Sequence, residues 1–195
     1  ILARVIAAGG SEVIGGWGTD VRLQYYAWHG FGFGQLRTGV IPLWNPYIYC
    51  GTPFYAGIQG AVLYPLSFPY LFLPTALGIN YSILLHLFLA GAFTYLCARY
   101  MGLAPLPGFI AGAAFMLSHP YFFHIYAGHL SNLATMVWTP LVLLFVEMLF
   151  RRRRWWVSLA IGAALAVQLL AGHPQYFLYS CVGVGLYFVF RCVGE

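Results

Sequence analysis

Apolar residues dominate long stretches of the chain, without the two-residue alternation of a half-buried strand. Five stretches approach the roughly 20 apolar residues that a helix needs to cross a bilayer. They lie near 79–99 (INYSILLHLFLAGAFTYLCAR), 105–123 (PLPGFIAGAAFMLSHPYFF), 133–150 (LATMVWTPLVLLFVEMLF), 155–171 and 175–192. Lipid cannot satisfy free backbone N–H and C=O groups, so the pattern predicts helices. A β-barrel would need alternating strands with polar turns about every ten residues. Small residues recur at Ala90–Ala92, at Gly108 and Ala111–Ala113, and at Gly162–Ala164, which predicts close helix packing in a bundle. Residues 60–74 are apolar but short and hold Pro65 and Pro69, as an interfacial or re-entrant segment would. No fixed-period repeat and no Ser- or Pro-rich linker divides the chain. The expected fold is therefore all-α: one integral-membrane domain over 1–195, a polytopic transmembrane helix bundle. A long extracytoplasmic loop at 11–74 would carry short interfacial helices.

Composition and charge strengthen this picture. Of the 195 residues, 62% are hydrophobic and 7% charged, against about 25% charged in an ordinary soluble domain. Nine Arg, no Lys and four acids give a net charge of +5. Charge is absent for 61 residues between Arg37 and Arg99, for 47 between Arg99 and Glu147, and for 36 between Arg154 and Arg191. Such runs would expose large apolar surfaces in water, which argues against a soluble domain, a disordered chain or a nucleic-acid binder. Arg99 ends the first expected span, Arg151–Arg154 follow the third, and Arg191 ends the fifth. Alternate crossing places all three groups on one side, cytoplasmic by the positive-inside rule. The plain reading of Arg151–Arg154 is an anchor on anionic headgroups. The chain opens at Ile1 without Met and closes at Glu195 after an apolar stretch. It reads as a fragment of a longer protein, with any signal or first span removed. Cys50, Cys97, Cys181 and Cys192 form no C-x-x-C pair, so neither a disulfide framework nor a zinc site is predicted.

The opposite side then holds residues 11–60, the loop 120–132 and the turn 171–175. Asp20, His119, His124, His129, Asn132, His173 and Gln175 are expected there, near the outer membrane surface. Convergence of such groups from separate segments is how a site would look. Asp20 is one of four acids and the central residue. Glu12 is near the start, Glu195 at the end, and Glu147 sits inside the third span beside arginines that would pair with it. Asp20 precedes VRLQYYAWHGF, where Leu23, Tyr26 and Ala27 have weak helical periodicity. A helix N-cap is its plain reading, and a cap would also fix the carboxylate for chemistry. His129 and His173 each follow a glycine and border an apolar span, where a hydrogen-bonded structural histidine is the plain reading. The five-residue spacing of His119, His124 and His129 is not that of one helix face, so it predicts no metal site. His86, mid-span, predicts a helix–helix hydrogen bond. Trp17, Tyr25, Tyr26, Trp28, Trp44, Tyr47, Tyr49, Tyr55 and Tyr64 crowd the outer loop. They read either as an interfacial aromatic belt or as rings that stack on a sugar.

The pieces GTDVRLQYYAW (18–28), LRTGVIPLWNPY (36–47), GTPFYAGIQGAVLYP (51–65), LLHLFLAGAFTYL (84–96), YAGHLSNLATMVWTPL (126–141) and GHPQ (172–175) carry a resemblance. The chain resembles the YfhO-like bacterial membrane proteins of the GT-C glycosyltransferase superfamily. The resemblance implies a dozen or so spans, of which this chain would cover the first third to half. It implies a first extracytoplasmic loop with an acidic catalytic residue, matched by Asp20, and a missing first span or one reduced to Ile1–Ala8. The sugar donor would be a polyprenyl-phosphate lipid and the acceptor an extracytoplasmic glycan or polymer. Asp20 would be the general base or would orient the acceptor hydroxyl. Cationic and N–H donors would steady the lipid phosphate, with Arg22, Arg37, His129 and His173 as candidates. Gln24, Tyr25, Trp44, Asn45, Gln59 and Gln175 complete the candidate substrate-binding set, and a divalent metal stays open. Two other classes are weighed beside this one: a transporter or flippase of a lipid-linked substrate, and a non-catalytic membrane subunit.

Overall fold

The structure, a computed structural model, describes residues 12–16 and 18–194. Trp17, the Ile1–Ala8 stretch with Arg4, and Glu195 lie outside the described residues. The chain is mostly helical. A π turn at Val21–Tyr25 leads into α1 (Tyr26–Arg37). Two short strands follow, β1 (Trp44–Asn45) and β2 (Thr52–Pro53), paired antiparallel with Trp44 opposite Pro53. Then come 3-10 turns at Ile58–Gly60 and Pro65–Leu71. The remaining helices are α2 (Thr75–Tyr100), α3 (Pro105–Met116), α4 (His119–Ala127), α5 (Leu130–Met136), α6 (Thr139–Arg152), α7 (Trp155–Leu170) and α8 (Pro174–Gly194).

Three helical segments are long and apolar enough to cross a membrane: Thr75–Tyr100, the nearly continuous Leu130–Arg152, and Pro174–Gly194. At 1.5 Å per residue the first is roughly 39 Å long. The expectation of one helix over 105–123 is corrected. Helix α3 stops at Met116, and Ser118 is extended with ψ 152° before Pro120 begins the next helix. Pro120 in the first turn pre-sets that new start and has no N–H to give to the Met116 carbonyl, as a continuing helix would require. Helix α7 covers most of 155–171 but has 16 residues, roughly 24 Å, short of the roughly 30 Å hydrocarbon core. Residues 60–74 form turns that bury Ser67 and Tyr70 and leave Phe68 and Phe72 exposed.

Close packing of small residues joins α2 to α3. A Cβ on Gly112 would stand 2.6 Å from the Gly91 carbonyl oxygen, so the two backbones touch. Gly162 meets nothing, whereas Ala164 packs with Val142, Val146 and Val184 between α6, α7 and α8. A second core, with Val21, Tyr25, Ile79, Ile83, Tyr121, Ile125 and Leu133, seats the N-terminal loop on α2, α4 and α5.

One end of the molecule gathers the arginines. Arg151 donates to the Tyr100 carbonyl at 3.0 Å and to Glu147 Oε1 at 2.7 Å. Arg191 donates to Glu147 Oε2, which also accepts the Tyr187 hydroxyl at 2.6 Å. The C-terminal ends of α2, α6 and α8 therefore meet, and cations there complement the helix dipoles. The return from this end is made by α3 and α4 in succession.

Candidate functional site

The opposite end is assembled by glycines. Gly128 has φ +80° and closes α4, a left-handed conformation that glycine adopts without strain. The chain reverses there and sets His129 at the head of α5. A Cβ at Gly128 would stand 2.6 Å from the Val21 backbone nitrogen, so only glycine lets the π turn approach. The Gly16 N–H, donating to the Tyr126 carbonyl at 2.9 Å, pins the same loop. Gly172, φ +100°, does likewise for residues 58–59: its Cβ would stand 2.7 Å from the Ile58 carbonyl oxygen. His173 follows it, and Pro174 starts α8.

These turns bring Asp20, His124, His129, His173 and Tyr176 together from four segments. Asp20 Oδ2 stands 3.4 Å from His129 Nε2, with both side chains about a third exposed, 37% and 33%. Asp20 occupies the N-cap position of the π turn, yet its side chain makes no capping hydrogen bond. The cap reading is thereby corrected, because the backbone here bonds to the Thr19 carbonyl instead. His129 Nδ1 is 3.1 Å from His124 Nδ1, and His124 Nε2 is 2.9 Å from the Tyr176 hydroxyl. The Tyr176 backbone N–H donates to His173 Nδ1 at 3.2 Å.

Burial pushes the His124 and His173 imidazoles below the usual histidine value, and the neighbouring histidines push in the same direction. Beneath the site, the Tyr25 hydroxyl is 2.5 Å from Ser131 Oγ. Burial first, then the nearby Asp20 charge, raise the Tyr25 phenol, opposed by the Ser131 hydrogen bond. His29 lies deeper, packed on Tyr70 and Phe33, with neither ring nitrogen hydrogen-bonded. Burial holds its pKa down at about 3.

The other sequence-predicted residues are placed as follows. Arg37 donates to the carbonyls of Tyr70 at 2.7 Å, Leu71 at 3.1 Å and Leu73 at 2.5 Å; it satisfies the end of a helical turn. Asn45 is buried and accepts the Tyr47 N–H at 3.0 Å, a local turn bond. Trp44 covers Gly51 in the β1–β2 hairpin. Gln175 donates to the Tyr179 hydroxyl at 2.5 Å. Arg22 is exposed and Gln24 half-buried on the π turn. Arg22 also lines a recess of about 60 Å³ with Gly15, Gly16 and Thr19. Gln59 lines a larger cavity of about 390 Å³ with Trp28, Phe54, Ile58 and Pro174, next in sequence to His173. His86 bonds the Tyr64 hydroxyl at 2.8 Å and the Ser82 carbonyl at 2.6 Å, so its partners are a loop and its own helix, not a second span. Among the described residues no group of three His, Cys, Asp or Glu is arranged to hold a metal ion.

Sequence reasoning passed over Tyr176 and the His124–His129 contact. The signal for Tyr176 was there: Pro174 starts a helix, which turns residue 176 back toward His173. The imidazole pair had none, because the five-residue spacing closes only through the reversal at Gly128. The chain matches no family model, no curated protein and no solved structure.

Proposed function

We propose that the chain belongs to a multi-pass membrane glycosyltransferase of the GT-C kind. It would transfer a sugar from a polyprenyl-phosphate carrier to an extracytoplasmic acceptor. The observation that carries this reading is the state of Asp20. Its carboxylate caps no helix, is over a third exposed, and has a histidine at 3.4 Å. A carboxylate held so, with access to solvent, suits removal of a proton from an acceptor hydroxyl. The leaving group is a lipid phosphate, stable as an anion, so no strong acid is needed. His173 and Arg22 are the donors for it in this reading, His129 faces Asp20, and Arg37 donates to three carbonyls.

The orientation follows from the positive-inside rule. With α2, α5–α6 and α8 as spans, the arginine end is cytoplasmic and Asp20 faces outward, where lipid-linked sugars are the available donors. The aromatic cavity beside Gln59 and Trp28 offers rings to the C–H faces of a sugar. A transporter would keep ionisable groups available at membrane depth. Here His86 and Glu147 are both buried and fully engaged.

The test is the full-length protein in lipid nanodiscs, supplied with polyprenyl-phosphate glucose, galactose or mannose and with cell-envelope polymer as acceptor. Wild type should consume one of these donors, and Asp20→Asn should not, at unchanged expression and melting temperature. Transfer that survives Asp20→Asn defeats the role given to Asp20, and a wild type that consumes none of these donors defeats the glycosyltransferase reading.

A further inference from the structure

Around Asp20 the polar side chains form a line. From one end it reads Tyr176 hydroxyl, 2.9 Å, His124 Nε2; His124 Nδ1, 3.1 Å, His129 Nδ1; His129 Nε2, 3.4 Å, Asp20 Oδ2. A neutral imidazole has one N–H and one lone pair, and an ionised carboxylate only accepts. With Asp20 ionised, the His129 proton therefore sits on Nε2, which leaves Nδ1 as a lone pair. Two ring nitrogens 3.1 Å apart share a single proton, so His124 carries it on Nδ1. His124 Nε2 is then the acceptor, and the Tyr176 hydroxyl donates to it. The reverse polarity would set a lone pair against the carboxylate.

We propose that Tyr176, His124 and His129 form a directional chain of two hydrogen bonds that ends in a 3.4 Å contact of His129 Nε2 with Asp20 Oδ2 and steadies that carboxylate. His124 and Tyr176 act as positioning residues through His129. This role rests on the reading of Asp20 as the reactive carboxylate; the tautomer assignment does not. During transfer the His129 N–H stays on Oδ2 and leaves Oδ1 for the acceptor. The acceptor O–H bond breaks and an Asp20 O–H bond forms. The freed oxygen bonds to the anomeric carbon as the bond from that carbon to the phosphate oxygen breaks, its electron pair leaving with the lipid phosphate. No further reactant is needed.

The chain also responds to acid. A proton added to His124 goes to Nε2, the one lone pair left on that ring, and reverses the Tyr176 contact so that the hydroxyl accepts. The titratable groups that face the His124–His129 pair are Asp20 from the π turn, His173 ahead of α8, and Tyr176 within α8. The two neighbouring histidines oppose the added charge and Asp20 favours it.

Histidine-selective 15N NMR of the full chain in lipid nanodiscs at neutral pH, assigned with His→Gln variants, tests the proposal. Expected are two neutral imidazoles of opposite tautomer, His124 protonated on Nδ1 and His129 on Nε2. Tyr176→Phe should move His124 toward the Nε2–H form without changing the melting temperature. In a transfer assay the same variant should lower kcat several-fold at constant KM. Equal tautomers, a cationic His124, or an unmoved His124 signal in Tyr176→Phe would each overturn the chain. Transfer retained in Asp20→Asn with the tautomers as expected removes Asp20 as the reactive carboxylate, and no transfer by the wild type with the tautomers as expected removes the glycosyltransferase reading alone. Reversed tautomers with transfer abolished in Asp20→Asn remove the chain alone.

Discussion

The two acids at opposite ends of the molecule make an instructive pair. Glu147 is 2% exposed and surrounded by Arg151, Arg191 and Tyr187. Both of its oxygens are taken, and its work is to join the ends of three helices. Asp20 is 37% exposed, with a histidine at 3.4 Å and, among the described residues, no capping hydrogen bond to its side chain. A saturated buried carboxylate is bound to its partners by the cost of separating them, since a lone buried charge is expensive. A half-exposed one with a single long contact keeps an oxygen for something else. Burial and partner number, more than residue type, separate the structural acid from the candidate reactive one.

The contrast can be broken from either side. The largest effect is expected for Asp20→Asn: a fall in transfer of about 10²–10⁴-fold, the usual worth of a general base, with unfolding free energy unchanged within about 0.5 kcal/mol. Glu147→Ala should do the opposite. It removes the carboxylate that Arg151, Arg191 and Tyr187 share and should lower stability in detergent by about 1–3 kcal/mol, read as a drop in melting temperature. Gly128→Ala probes the junction that places His129 beside Asp20. The left-handed φ alone should cost about 1–3 kcal/mol, and displacement of Val21 should reduce transfer as well.

Acid should soften the histidine half. The His29 pKa is about 3 in the folded chain and about 6.5 when unfolded. The unfolded state therefore binds more protons across that window, so stability falls as pH drops through 6.5 and levels off below about 3. The slope is about 1.4 kcal/mol per pH unit for this one group. His124 and His173, also shifted down, add in the same direction. His29→Phe, which replaces an unpartnered ring with an apolar one, should remove the His29 share of that slope in melts run from pH 7 to pH 4.

Hydrophobic runs and charge gaps made most of the helices legible, because a long apolar run has few folded solutions. The break at Leu117–Ser118 was equally written in the chain, as Ser-His-Pro, but an apolar average over the window hides it. The arginines at three helix ends could be placed on one side by counting spans. The count assumed a single crossing at 105–123, and the structure makes the return with two helices in place of one. The polar residues of the outer segments could be named from the sequence, but not what each would touch. Arg37 looked like an anion ligand and caps carbonyls, and Asn45 makes a local turn bond.

The sequence by itself determined that this chain is built of apolar helices, read as five spans of which the structure makes three long and apolar enough for a membrane, and that several of its few charged residues fall at helix ends. Those properties follow from local periodicity and solvation, which act over a few residues at a time. Only the tertiary structure decided that Asp20 stands beside His129 and Glu147 is enclosed, and that His124 links His129 to Tyr176. Asp20–His129, His124–Tyr176 and Glu147–Arg191 join residues more than 40 positions apart, and His124–His129 closes only through a chain reversal. They depend on backbone reversals at Gly128 and Gly172, where a missing Cβ lets two chains approach, and sequence spacing carries no measure of that approach.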